Sequence, residues 1–205
     1  MRKIALIVTI IITVVAGLFY AIAKNSKDQI ALNEVKPYKI SKSQADILET
    51  IDIEDKISIY EFKVDKLSDE LSVSVDLYNK GELVKNLGGL SYKFEGKSQS
   101  KTGEIILNNS NDIWGILFNE NGTRAKSSCK MGDNLKQYIA EYDSYDYSFS
   151  SLNKAKSIIK NEDIILNITV FAKDGFSNFD TIDFENNSNK LKEYDWAVIT
   201  KLIVK

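Results

Sequence analysis

Apolar and polar residues alternate with a period of two along most of the chain from Ile57 to Val204, and that pattern commits the sequence to pleated strands. Leu71, Val73, Val75 and Leu77 alternate with Ser72, Ser74, Asp76 and Tyr78, the signature of a strand with one buried and one polar face. Tyr60, Phe62 and Val64 share one face of a strand over Ile57–Val64. Leu90, Tyr92 and Phe94 repeat the pattern, followed by strands over Glu104–Leu107 and Ile113–Phe118. Tyr145, Tyr147 and Phe149 form a further alternating set, expected to face the core, as do Ile164, Leu166, Ile168 and Val170, and a last strand runs from Trp196 to Val204. Asn79-Lys80-Gly81, Asn119-Glu120-Asn121-Gly122 and Lys173-Asp174-Gly175 supply turn chemistry. Seven or eight short strands without βαβ alternation predict a mostly β domain, an antiparallel β-sandwich of immunoglobulin-like or related layout. One short helix precedes it over Ser41–Ile51, with Ser43 and Asp46 at capping-box spacing and Ile47, Leu48 and Ile51 as its apolar stripe. Helical turns are expected at Asp133–Tyr142 and Lys190–Tyr194.

The N-terminus departs from this pattern. After Met1, Arg2 and Lys3, residues 4–23 contain no charge, and a helix of that length spans ~30 Å, the thickness of a bilayer's hydrocarbon core. The expectation is a single transmembrane helix with its N-terminus cytoplasmic, held there by Arg2 and Lys3. Residues 1–23 then act as a signal anchor, or as a signal peptide cut after Ala21-Ile22-Ala23, which would leave the chain secreted. Residues 24–40 are polar, contain the only proline, Pro37, and read as a flexible stalk. Residues 41–205 form the extracytoplasmic domain.

Composition removes several kinds of chemistry. The chain has no histidine, which excludes Ser-His-Asp and Cys-His catalysis and histidine-bearing metal sites. A single cysteine, Cys129, allows no intrachain disulfide and no cysteine-bound zinc. Beyond residue 23, 25 basic residues are interspersed among 29 acidic ones, so no basic face exists to bind nucleic acid. Ser-x-x-Lys pairs at Ser98/Lys101, Ser127/Lys130, Ser151/Lys154 and Ser157/Lys160 are what a chain rich in both residues produces by chance.

Three constellations remain. Tyr142, Asp143, Tyr145, Asp146 and Tyr147 offer flat apolar rings with hydrogen-bond acceptors between them, the chemistry of a sugar or peptide site. Asp143 with Asp146, or Asp180, Asp183 and Glu185, are acids close enough in sequence for two-carboxylate glycoside hydrolysis. Asp174, Asn178, Asp180 and Asp183 are oxygen ligands suited to calcium, although Gly175 directly after the first acid departs from the EF-hand pattern. No other cofactor is expected.

The apolar N-terminus, the helix at Ser41–Ile51 leading into Ile57–Val64, and the ending Lys190-Leu191-Lys192-Glu193-Tyr194-Asp195-Trp196 resemble uncharacterised exported, membrane-anchored proteins of low-GC Gram-positive bacteria. The resemblance implies an exported domain on a membrane anchor and assigns no residue a role. The functional expectation is a non-catalytic binding or protein-interaction module, whose partner is an envelope protein or cell-wall glycan. The alternative is an envelope hydrolase using paired carboxylates.

Overall fold

The computed structural model describes residues 30–53, 56–94, 100–110, 113–120, 122–173, 175, 179–186 and 188–205. The expected anchor at residues 4–23 lies outside them. Among the described residues no helix is long and apolar enough to cross a membrane. The described chain is mostly β, in two antiparallel sheets.

Sheet one has the strand order β7-β6-β5-β2-β1-β9, formed by β1 (Glu34–Pro37), β2 (Ile57–Asp65), β5 (Ser100–Ser110), β6 (Ile113–Glu120), β7 (Thr123–Lys130) and β9 (Lys156–Ser157). Sheet two has the order β4-β3-β11-β10-β8, formed by β3 (Glu70–Asn79), β4 (Glu82–Lys93), β8 (Asp146–Ser151), β10 (Ile164–Ala172) and β11 (Trp196–Val204). Tyr60, Phe62 and Val64 of sheet one and Leu71, Val73, Val75 and Leu77 of sheet two belong to one buried cluster, so the two sheets pack face to face as a sandwich. An immunoglobulin constant domain divides four strands against three; here six oppose five. Tyr92 and Phe94 at the end of β4 reach over to sheet one, with ring centroids 6.1 Å from Phe118 and 6.1 Å from Phe62 respectively.

Each sheet is also covered on its outer face. Helix α1 (Lys42–Thr50) lays Leu48 against Tyr38 and Ile59 on the outside of sheet one. Its capping box sits two residues earlier than the sequence spacing implies. The Ser41 hydroxyl accepts from the Gln44 N–H, and the Gln44 side chain accepts from the Ser41 N–H at 2.6 Å, leaving Ser43 and Asp46 out of the box. On sheet two, α3 (Thr181–Asn186) and a 3-10 turn at Ser188–Glu193 cover β10 and β11. Phe179, Phe184 and Tyr194 interlock there at 5.5–5.9 Å between ring centroids. Every residue of β10 is therefore buried.

Two sequence expectations need correction. Residues 34–37, expected within the stalk, are strand β1, paired with β2 on one side and β9 on the other, with Val35 fully buried. One apolar side chain in a polar stretch carries too little periodicity to mark a strand. In β10, Ile164, Leu166, Ile168 and Val170 do not share a face. The register with β11 shifts between Ile165 and Asn167, so Ile164 and Leu166 enter the core between the sheets while Ile168 and Val170 join the outer cluster. A bulge of this kind reverses the alternation beyond it. It also turns Asn167 inward, where Tyr60 meets it. The Tyr60 hydroxyl donates to the Leu166 carbonyl at 2.8 Å and is hydrogen-bonded to the Asn167 side-chain oxygen, while the Asn167 amide reaches Ser58 at 3.4 Å.

The two ends of sheet two are distinct. One carries the β3–β4 turn, where Lys80 and Gly81 both have positive φ, the two-residue turn whose twist matches that of the strands. The other carries the β2–β3 turn, the first described residues, the β9–β10 connection and Lys205. There the Ile158 N–H donates to Asn33, Asn161 to Val204, and Asp69 to Lys205.

Candidate functional site

The Tyr142–Tyr147 segment lies at the turn end of sheet two. It follows helix α2 (Met131–Tyr138), passes through a 3-10 turn at Tyr142–Ser144, and enters β8, the edge strand of that sheet. Tyr147 pairs with Phe171 and Asp146 with Ala172 on β10.

The expectation that Tyr145, Tyr147 and Phe149 share a face with the core holds for their direction and fails for burial. Tyr147 is opposite Phe171, which points into the core, yet Tyr147 is 63% exposed. The rings of Tyr142 and Tyr147 lie 5.7 and 6.4 Å from the Phe171 ring, so they form a lid over one buried aromatic and keep an outer surface. Tyr142 and Tyr145 are half-buried, while Asp143 and Asp146 are exposed.

Two lysines clamp this ledge. Lys136 of α2 pairs with Asp143 at 3.1 Å and stands 5.9 Å from the Tyr142 ring centroid. Lys173, just past β10, pairs with Glu141 at 2.9 Å and stands 5.0 Å from the Tyr145 ring. The hydrogen bond and charge of Lys173 hold the Glu141 carboxyl below its usual range, and Glu141 in turn raises Lys173. Glu141 sits at φ 57°, a left-handed conformation that points the chain from the helix toward the strand. The ledge thus presents aromatic faces, the cations Lys136 and Lys173 and the anions Glu141, Asp143 and Asp146 beside an edge strand. It fits a ligand that offers apolar surface alternating with hydrogen-bonding groups, and an edge strand can add backbone hydrogen bonds.

The second acid group has a different role. Asp180 precedes α3, and the Asp183 carboxylate accepts its backbone N–H at 2.9 Å and the Lys190 ammonium at 3.0 Å. These two contacts hold the Asp183 carboxyl below its usual range. Asp180 accepts from Asn153 at 2.6 Å and from Thr181 at 3.1 Å. Both acids are thus engaged in starting a helix. Asp174 and Asn178 lie outside the described residues, as does the side chain of Glu185. Among the described residues no group of three His, Cys, Asp or Glu is placed to hold a metal ion.

A glycosidase acid needs a raised pKa so that it holds its proton at neutral pH. The carboxylates that depart clearly from their ordinary values, Asp65, Glu70, Glu141 and Asp183, are all lowered. Of the Ser-x-x-Lys lysines, Lys101 has its ammonium buried against the Ser68 carbonyl and the Phe94 ring.

One polar cluster had no signal in the sequence. Lys201 of β11 meets the Tyr78 hydroxyl at 2.6 Å and the carboxylates of Asp76 and Asp163, each at 3.3 Å. Asn86 donates to the other Asp76 oxygen at 2.8 Å. Burial lowers the Lys201 pKa, but Tyr78, Asp76 and Asp163 outweigh it and leave the pKa raised. The ammonium spends its three donors on these three partners, so the cluster joins β3, β11 and the loop before β10 and offers nothing to a substrate. Asp76 and Tyr78 are more than a hundred positions from Lys201, and a strand's polar face gives no sign of which charges will meet. No family model, curated protein or solved structure matches the chain.

Proposed function

We propose that this chain is a non-catalytic binding module tethered to the outer face of a membrane. Residues 4–23 are its single-pass anchor, and the Tyr142–Tyr147 ledge is its contact surface. The partner is an envelope protein segment or a cell-wall glycan. The observation that carries the reading is Tyr147: a large aromatic on an edge strand, exposed although it shares the core-facing side, in a segment whose Tyr142 and Tyr145 rings carry Lys136 and Lys173. Tyrosines are among the groups that dominate contact energies in binding surfaces, and flanking lysines add charge complementarity at the rim. Against the hydrolase reading stands the use already made of the acids. Asp143 is paired with a lysine, and Asp183 caps a helix with its carboxyl held below the usual range.

The test is photo-crosslinking in intact cells from a reactive residue placed at position 147. The expected result is one reproducible partner, weakened stepwise by Lys173→Glu and Tyr145→Ala and little changed by Asp183→Asn in chains that remain folded. Complete loss of a measurable hydrolytic activity on Asp143→Asn or Asp146→Asn alone would replace this reading with the enzymatic one.

A further inference from the structure

Leu32, Leu67 and Ile159 stand at the opposite end of the sandwich from the ledge, 54%, 65% and 55% exposed. Local contacts bring them together. The Lys160 ammonium donates to the Leu67 carbonyl at 3.0 Å, the Ile158 N–H donates to Asn33 at 2.7 Å, and Asn33 receives the Asp65 N–H at 2.9 Å. Asp65 in turn accepts the Leu67 N–H at 2.9 Å, which fixes that turn with its leucine outward. Three large aliphatic side chains on three adjacent loops make an apolar tip, and scattered exposed residues do not cluster this way by default.

The chain itself indicates what covers this tip. Strand β1 takes up residues 34–37, and only eight residues lie between Ala23 and Leu32. A flexible linker of that length spans ~14–17 Å on average. The uncharged run at residues 4–23 therefore delivers the domain with this end foremost. Exposed Lys66 and Lys160 are offset by exposed Asp69 and Glu162, so the tip has no basic charge to favour acidic lipids.

We infer that this end of the domain docks on the bilayer interface, with Leu32, Leu67 and Ile159 seated among the headgroups. The inference rests on the reading of residues 4–23 as an anchor. The contact is apolar, and the tether keeps the tip at high local concentration, so shallow insertion of ~5–10 Å suffices to hold one orientation. The ledge then faces away from the membrane by the length of sheet two.

The test uses the full chain, with Cys129→Ser, reconstituted in phosphatidylcholine vesicles. A polarity-sensitive dye is attached through Leu67→Cys, Ile159→Cys or Tyr147→Cys, all exposed positions. The expected result is a blue-shifted emission at 67 and 159, mostly lost when brominated lipid is included and unchanged by added salt, with neither effect at 147. Alkaline carbonate extraction of the same vesicles reads the anchor independently. Chains that resist extraction while the dyes at 67 and 159 behave like the one at 147 would overturn the docking and leave the anchor standing. Chains released by carbonate would overturn both.

Discussion

The two ends of sheet two are built from the same strands and present opposite chemistry. At one end β3 begins and β11 finishes, among loops that expose Leu32, Leu67 and Ile159. At the other, about nine residues along β10 and so ~30 Å away, Tyr142, Tyr145 and Tyr147 lie among Glu141, Asp143, Lys136 and Lys173. The apolar end is fastened by short backbone contacts and by β1. The charged end is fastened by ion pairs and by ring contacts around Phe171. The difference shows that the strands of one sandwich carry an apolar end and a charged, aromatic end.

The comparison is broken most severely through β1, which ties the apolar end to sheet one. Val35→Asp places a charge at a fully buried position, and the expected loss is about 4 kcal/mol or more, read as the shift in urea midpoint. A midpoint near that of the parent would mean that β1 is not part of the stable domain. Next comes the clasp between the sheets. Tyr60→Phe takes the hydroxyl from the Asn167 side-chain oxygen and leaves the Leu166 carbonyl with the Leu152 N–H alone, at a cost of about 1–3 kcal/mol in the same measurement.

Lys201→Met tests the outer clasp and is expected to cost about 2 kcal/mol, because it strands Asp76 beside Tyr78. Its pH dependence follows from the direction of the shift. The Lys201 pKa is higher folded than unfolded, so its stabilisation is complete below the unfolded value of about 10.4 and fades as pH rises through the folded value. The gap in urea midpoint between parent and Lys201→Met should therefore be flat from neutral pH to about 9 and narrow only above about 10.4. The smallest effect on stability belongs to the ledge. Tyr147→Ala should change stability by less than about 1 kcal/mol while removing partner capture, which separates a contact residue from a packing residue.

β2 and β3 were legible in the sequence because their apolar residues alternate toward the core, and β11 because it is an apolar run buried on both faces. β7 was not: Thr123–Lys130 has almost no apolar residue, and it is a strand because β6 and the turn before it supply a partner. The face reversal in β10 was hidden for a different reason. A bulge leaves the composition of a strand unchanged and alters only its register. At the ledge, the shared face of Tyr145, Tyr147 and Phe149 followed from spacing. The exposure of Tyr147 did not, since it depends on where the opposing sheet stops. Lys136 and Lys173 were missed because pairing between distant segments leaves no local pattern. Asp143 and Asp183 are engaged in an ion pair and a helix start, uses that a carboxylate's place in the sequence does not distinguish from a catalytic or calcium role.

The most direct measurement places the same photoreactive residue at position 67 and at position 147 of the full chain in intact cells. The account predicts lipid adducts from 67 with little else, and adducts to an envelope protein or glycan from 147 with no lipid. The same adducts from both positions, or lipid from 147, would contradict the separation of the two ends.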